Sequence, residues 1–383
     1  MTVRRHPIAG VGGLPQAALR LAPWRAHRPG ARAARAPLDD VAPRFTPWCA
    51  ASEGDARFSR PPRLVALAPH AATLAWRADA DAGWVEVWSP ERFEARRFRA
   101  RGDEAHLRGF EPGARLCYAV TVGTAQGPTV SFRTPRPDGP VDVVVFGDSG
   151  GSHPDQAAMA RALSRHAADL VLHTGDIAYY RGTEEAYDAQ FFRPFAALTR
   201  RALVAAVPGN HDRKVDGGRP FFDTFGPVPR SLDLGPLHVA LLDTGGDLAA
   251  QAEWLARDLD ASDRPWKLAV GHHPPFASGA HGSSLRVRRA FAAVLSRHDA
   301  DLMLSGHDHH YERVRPQGGV TYVVSGGGGH STRPVGESDF TAFAESVLHF
   351  VHLRVDPDRL VLRAVDAEGH VFDRIVLEAS SSR

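Results

Sequence analysis

The chain has 383 residues, 43% hydrophobic and 23% charged, a globular composition long enough for two domains. Its 46 basic residues, all arginine except Lys214 and Lys267, meet 44 acidic ones; that near balance leaves no electrostatic footprint for nucleic acid, and no nucleic-acid partner is expected. No apolar run of about 18 residues occurs, so no membrane span is expected. Two cysteines, Cys49 and Cys117, make neither a disulfide framework nor a thiolate-rich metal site, and leave a single bridge open.

In chain order, residues 1–58 are rich in Arg, Ala, Pro and Gly without sustained periodicity, which predicts a mostly irregular N-terminal segment. Arg4 and Arg5 fit the start of a twin-arginine export signal, but the apolar run that should follow is interrupted over 8–21. The compartment is left open. Over 59–136, short apolar runs at 64–67, 72–76, 84–88 and 118–122 alternate with turn residues and predict a small β-sandwich with Trp76 and Tyr118 in its core. Pro135, Pro137 and Pro140 mark a linker.

From 140 to 383 the pattern changes to alternating strands and helices. Strands are predicted at 141–146, 170–173, 203–207, 237–242, 268–270 and 302–304, and helices at 156–166, 184–198, 249–259 and 287–297. Four further strand runs, 320–324, 348–355, 360–365 and 371–377, follow without helices between them. This is an α/β domain with a two-sheet core flanked by helices.

Five short segments interrupt or end those apolar runs: Gly147-Asp148-Ser149-Gly150, Gly175-Asp176-Ile177-Ala178-Tyr179, Gly209-Asn210-His211-Asp212, Gly271-His272-His273-Pro274 and Gly306-His307-Asp308-His309. Ligand crevices of α/β sheets lie at the carboxyl ends of strands, so these distant residues can converge on one pocket rim. Together they offer enough oxygen and nitrogen ligands for two metal ions. Two such ions clamp the attacking and leaving oxygens of an in-line displacement at phosphorus and supply hydroxide near neutral pH. Gly326 to Gly329 lack the Lys-Ser or Lys-Thr of a P-loop, and read as a close-packed turn near the metals. His153, His310 and His330 read as structural or surface residues.

The series resembles that of the metallophosphoesterase (calcineurin-like phosphoesterase) superfamily, in the variant found in purple acid phosphatases. That pattern runs Gly-Asp-x-Gly, Gly-Asp-x-x-Tyr, Gly-Asn-His-Asp/Glu, Val-x-x-His or Gly-His-x-Pro, and Gly-His-x-His. The resemblance covers about residues 60–380. It implies a four-layer α-β-β-α sandwich over 140–383, preceded by a fibronectin type III-like β-sandwich over 59–136, whose 107–118 stretch is similar to the loop entering a late strand of such modules. It also implies that Asp148, Tyr179 and His309 hold one metal, that Asn210, His272 and His307 hold the other, and that Asp176 bridges them. His211 would lie beside the phosphate, and His281 would give a proton to the leaving group, an effect typically worth about 10²–10⁴-fold. The resemblance further implies that Tyr179 binds as a phenolate and takes the place of a His usual at position 150, which here is Gly150. A phenolate favours Fe(III), with a divalent Fe, Zn or Mn as second ion. The fourth segment leaves a choice: Val-x-x-His selects His273, Gly-His-x-Pro selects His272, and we assign His272.

The expected function is a binuclear phosphomonoesterase of acid-phosphatase type acting on a small-molecule phosphate ester. A phosphodiesterase for cyclic nucleotides or phospholipid head groups would use the same ligands. A non-catalytic binding module on this scaffold would lose ligands or the His of Gly-Asn-His, and this chain keeps both.

Overall fold

Three short, almost wholly apolar runs, Val141–Phe146, Leu170–His173 and Leu203–Ala206, lie side by side as parallel strands in register. Being buried on both faces, they show no alternation. The computed structural model describes residues 41–379 apart from 51, 80 and 81; Arg4, Arg5 and the rest of 1–40 lie outside the described residues. The antiparallel strands His349–Val355, Arg359–Asp366 and Val371–Glu378 extend this sheet on one side. A second sheet runs Arg230–Leu234, Leu237–Leu241, Trp266–Val270, Leu302–Ser305, Thr321–Ser325, Tyr311–Val314 and Thr341–Glu345, with its inner strands parallel.

The two sheets bury one face each against the other. Val143, Val145, Leu172 and Ala205 meet Val239, Leu241, Leu268, Val270 and Leu304 in that core. On the outer face of the first sheet, Val144, Phe146, Val171 and Val204 pack on Met159 and Leu163 of the helix Pro154–Ser164 and on a cluster of phenylalanines. On the outer face of the second, Ala240, Ala269 and Met303 pack on Leu255 and Leu259 of Leu248–Ala261 and on Phe291 and Leu295 of Leu285–Arg297. Helices thus lie outside two central sheets. Both long outer helices begin on side-chain caps: Asp247 accepts from Ala249 and Ala250, and Ser284 from Val287.

The predicted helix over 184–198 is broken. Glu184–Tyr187 is α-helical, Asp188–Phe192 is a π-turn, and Ala196–Thr199 resumes the α-helix. Pro194 has no N–H to donate and cannot continue the ladder. The strands Arg230–Leu234, Tyr311–Val314 and Thr341–Glu345 and the short helix Arg219–Phe225 carry too little apolar pattern to be anticipated.

Ahead of these sheets, Arg60–Ala68, Ala71–Arg77 and Glu104–Arg108 face Ala82–Ser89, Arg92–Arg99, Arg115–Val122 and Val130–Arg133. Trp76 and Tyr118 are buried in the core between them, with Leu74, Val85 and Phe132. The first of these layers is not separate: Leu64 pairs in parallel with Leu203, so its three strands continue the first central sheet, which reaches nine strands. A disulfide joins Cys49 to Cys117. It ties the extended segment after residue 41 to the strand Arg115–Val122, and Phe45 N donates to Arg165 O at 2.9 Å on the other side.

Candidate metal centre

All the predicted ligands leave the carboxyl ends of parallel strands, from both sheets, at one edge of the sandwich. Asp148 follows Val141–Phe146, Asp176 and Tyr179 follow Leu170–His173, and Asn210 and His211 follow Leu203–Ala206. His272 follows Trp266–Val270, and His307 and His309 follow Leu302–Ser305. Asp148, Asp176 and His307 have φ of 55°, 52° and 72°. That left-handed conformation is unfavourable for residues with a Cβ and collects at functional sites. The glycines beside them make room for their neighbours' ligands: a Cβ on Gly209 would come 2.1 Å from Asp176 Oδ1, and one on Gly306 2.5 Å from Asp148 Oδ2.

Two groups of lone pairs converge, sharing Asp176. In the first, the Tyr179 hydroxyl lies 3.1 Å from Asp148 Oδ1, 3.1 Å from Asp176 Oδ2 and 3.2 Å from His309 Nε2. Asp148 Oδ1 is 3.5 Å from His309 Nε2. In the second, His272 Nε2 lies 3.1 Å from Asn210 Oδ1, 3.2 Å from His307 Nδ1 and 3.6 Å from Asp176 Oδ2. His272 Nδ1 donates to Thr174 O at 2.9 Å, which fixes the tautomer and leaves Nε2 as a lone pair. Ser331 Oγ lies 3.0 Å from Nδ1 of His309 and orients its ring.

This donor set fits cations. One phenolic proton cannot serve two carboxylates and an imidazole, and Nε2 of His272 faces an amide oxygen and a carboxylate. Burial, with Asp176 next to it, raises the Asp148 pKa well above the carboxylate range, and burial also raises that of Asp176. Burial and then neighbouring histidines lower His272 and His307, and burial with Arg333 holds His309 down to about 3. Burial and the two aspartates raise the Tyr179 phenol. A bound cation reverses this balance for acids and phenol and uses the neutral imidazoles as they stand.

Of the two adjacent histidines, His272 is the one whose Nε2 faces Asn210 and Asp176, while His273 has a ring nitrogen within 4.8 Å of those of His272 and His307. His273 points Nδ1 at Thr244 Oγ1, 2.8 Å away, and packs its ring 4.5 Å from that of His307. His211 sits above the first group, its ring centroid 4.3 Å from that of Tyr179 and its Nε2 4.0 Å from Asp176 Oδ2. His281 sits above the second, stacked on His307 at 4.3 Å. The structure therefore brings together every predicted site residue.

Several supporting residues were not read from the sequence. Gln190, on the π-turn, grips Tyr179 from both sides, accepting from its N at 2.9 Å and donating to its O at 2.6 Å. Buried Asp212 accepts from Gly209 N at 2.9 Å and Ile177 N at 3.2 Å, tying two ligand loops together. Its pKa is raised to about 8 by burial and the Asp176 charge. Asp308 accepts from His281 N and Gly282 N, at 3.0 and 3.2 Å. His330 is partly buried and structural: its ring stacks on Tyr179 at 3.7 Å and 5°, and its Nδ1 is 2.9 Å from Gly150 O. His310 is structural as expected, buried against Glu312 at 3.3 Å. The turn of Gly326 to Gly329 is close-packed: a Cβ on Gly326 would come 2.9 Å from Asp148 Oδ2.

Residues 141–311 match the calcineurin-like phosphoesterase family. That segment is a calcineurin-like phosphoesterase domain. It contains every residue of the two ligand groups. Mouse tartrate-resistant acid phosphatase type 5 is 24% identical over 309 residues, 65% of this chain and 90% of that protein. Human acid phosphatase type 7 is 29% identical over 255 residues, 55% of this chain and 56% of that protein. Among solved structures, a purple acid phosphatase from yellow lupin seeds superposes with a TM-score of 0.73 at 19% identity, over 83% of this chain and 74% of that one. Over that share of its length the chain has the lupin protein's fold.

Proposed function

We propose that the chain is a binuclear-metal phosphatase of acid-phosphatase type that hydrolyses phosphate monoesters. The observation that carries this reading is the pair of lone-pair groups sharing Asp176, with a tyrosine oxygen in one of them. In this reading Asp148, Tyr179 and His309 hold the first ion, Asn210, His272 and His307 the second, and Asp176 both. The phenolate oxygen of Tyr179 favours Fe(III), and the imidazole and amide donors suit a divalent Fe, Zn or Mn. Bound there, the pair supplies activated water and charge stabilisation at phosphorus.

The chain's own residues do the rest. His211 reaches over the first group to the phosphate oxygens, and His281 over the second to the leaving oxygen, to which it gives a proton. Gln190, Asp212 and Thr174 hold the ligand loops, so the geometry is set before substrate arrives. The β-sandwich over 59–136 belongs, in this reading, to the fibronectin type III-like class and buttresses the phosphoesterase domain over 140–383.

Metal analysis of the purified protein, with its visible spectrum and turnover of 4-nitrophenyl phosphate against bis(4-nitrophenyl) phosphate, tests the proposal. Two equivalents of metal including iron, a visible band and faster monoester hydrolysis are expected. A protein without iron, or one that prefers the diester, would overturn it.

A further inference from the structure

A cation stands at the mouth of this site with no carboxylate to neutralise it. Arg333 is half-buried, and among the described residues its guanidinium makes no ion pair. Its recorded side-chain partner is His281, whose Nε2 it touches through Nη1. Nearby, Arg213 is paired with Asp243 and Arg288 lies over the Phe276 ring at 4.0 Å, whereas Lys214 meets the other site histidine, its Nζ 3.1 Å from His211 Nδ1. An arginine bordering a phosphate site and lacking a counter-ion is matched to an anion that arrives with the substrate.

The position of Arg333 is built rather than incidental. Its N donates to the carbonyl of His309 at 2.9 Å. Three residues on, Gly336 N donates to Ser278 O at 3.0 Å, and Val335 bridges Gly279. The loop bearing Arg333 is thus laced to the loop bearing His281, and His281 is itself held by Asp308 and stacked on His307. Arg333 lies beyond His281, on the leaving-group side.

We propose that Arg333 recognises negative charge on the leaving group, so that the site favours phosphoanhydrides, whose leaving group is a phosphate, over esters of neutral alcohols. This rests on the phosphatase reading above. A guanidinium only donates, so His281 Nε2 accepts in the observed contact and has no proton to give there. A departing phosphate needs none: water forms the new P–O bond, the bridging P–O bond breaks, and its electron pair stays on a phosphate oxygen beside Arg333. The products are two phosphates, and the proton lost by water passes to solvent. An alkoxide leaving group does need the proton, and for it the Arg333 contact with His281 must open.

The test compares Arg333→Gln and Arg333→Lys with the unaltered protein on inorganic diphosphate and on glycerol 2-phosphate. Arg333→Gln should lower kcat/KM for diphosphate by roughly 10- to 100-fold, the worth of one charge-assisted hydrogen bond, mainly through KM. For glycerol 2-phosphate the change should stay within about threefold or become a gain, and Arg333→Lys should restore part of the diphosphate activity. Calorimetric titration with methylenediphosphonate and with methylphosphonate gives a readout without turnover: only the first should bind more weakly to Arg333→Gln. Equal losses on both substrates, or unchanged binding of methylenediphosphonate, would overturn the proposal. If the unaltered protein hydrolyses neither compound, the phosphatase reading fails, and the two phosphonate titrations still decide the role of Arg333.

Discussion

His349→Asn should make the protein less sensitive to acid without touching its ligand groups. His349 is fully buried on the first central sheet, 5.4 Å from the Tyr311 ring and 6.0 Å from that of Phe372. Its Nδ1 lies 2.9 Å from Val347 O and its Nε2 has no partner. Burial lowers its pKa from 6.5 to about 4; the Val347 hydrogen bond opposes that shift and His310 adds to it. The folded pKa is below the unfolded one, so between pH 4 and 6.5 the unfolded chain binds more protons. Stability from this residue is complete above about pH 6.5 and is lost as pH falls towards 4. Between pH 7.5 and 4.5 these two values give a loss of about 2.5 kcal/mol.

Asn keeps an N–H for Val347 O and removes the titrating ring. Its smaller volume adds a cost of about 1–2 kcal/mol that does not vary with pH. Urea unfolding of both proteins at pH 7.5 and 4.5, at equal metal loading, isolates the linked term as a difference of differences. His166, also held down to about 4 by burial, stays in both proteins and cancels. The variant should lose about 2.5 kcal/mol less than the parent over that interval. An identical acid-induced loss in the two proteins would refute the reasoning, because it would mean that His349 is not neutral in the folded state.

The remaining predictions concern the ligand groups. Asp176→Asn, which keeps the shape but removes the charge shared by both groups, should deplete both metals and abolish turnover; metal analysis and a 4-nitrophenyl phosphate assay check this, and full activity would sink the two-ion proposal. Tyr179→Phe should remove any visible absorption band while circular dichroism stays unchanged, since the ring keeps its stacking on His330; a band that survives would mean a different chromophore. His281→Ala should slow esters with basic leaving groups by about 10²-fold or more and aryl phosphates much less; equal rates across a leaving-group series would show that His281 donates no proton.

The candidate ligands were legible in the sequence because each sits directly after a buried strand, and buried parallel strands announce themselves as short apolar runs. The same holds for Trp76 and Tyr118 in the sandwich. What was not legible depends on contacts between segments that carry no such pattern. Nothing local to Gln190 predicts that Pro194 and a π-turn will aim it at the Tyr179 backbone. Nothing local to His330 or Arg333 marks them as pocket residues, since they follow a glycine run with no strand or helix period. Their places are set by hydrogen bonds to Asp148 O and His309 O, from distant parts of the chain. The choice between His272 and His273 was open for a related reason: both rings stand beside that of His307, and only contacts with Thr174 and Thr244, on other segments, set how each is turned.

In the sequence, the resemblance gives Gly150 and Tyr179 as an exchange of ligands, the tyrosine taking the place of a histidine. In space they are one feature. A Cβ at position 150 would come 2.7 Å from Ala178 Cα, 2.7 Å from Ile177 O and 2.8 Å from Gln190 Oε1. Any side chain there would push the 177–178 backbone outwards and displace the amide that holds Tyr179. Because position 150 is glycine, that backbone packs against it and delivers the Tyr179 oxygen to within 3.1 Å of Asp148. Restoring a histidine at 150 would therefore not add a ligand to the set; it would occupy the space that lets the tyrosine be one. This backbone accommodates one or the other, and in the proposed centre the ligand chemistry of the first ion would follow from which it carries.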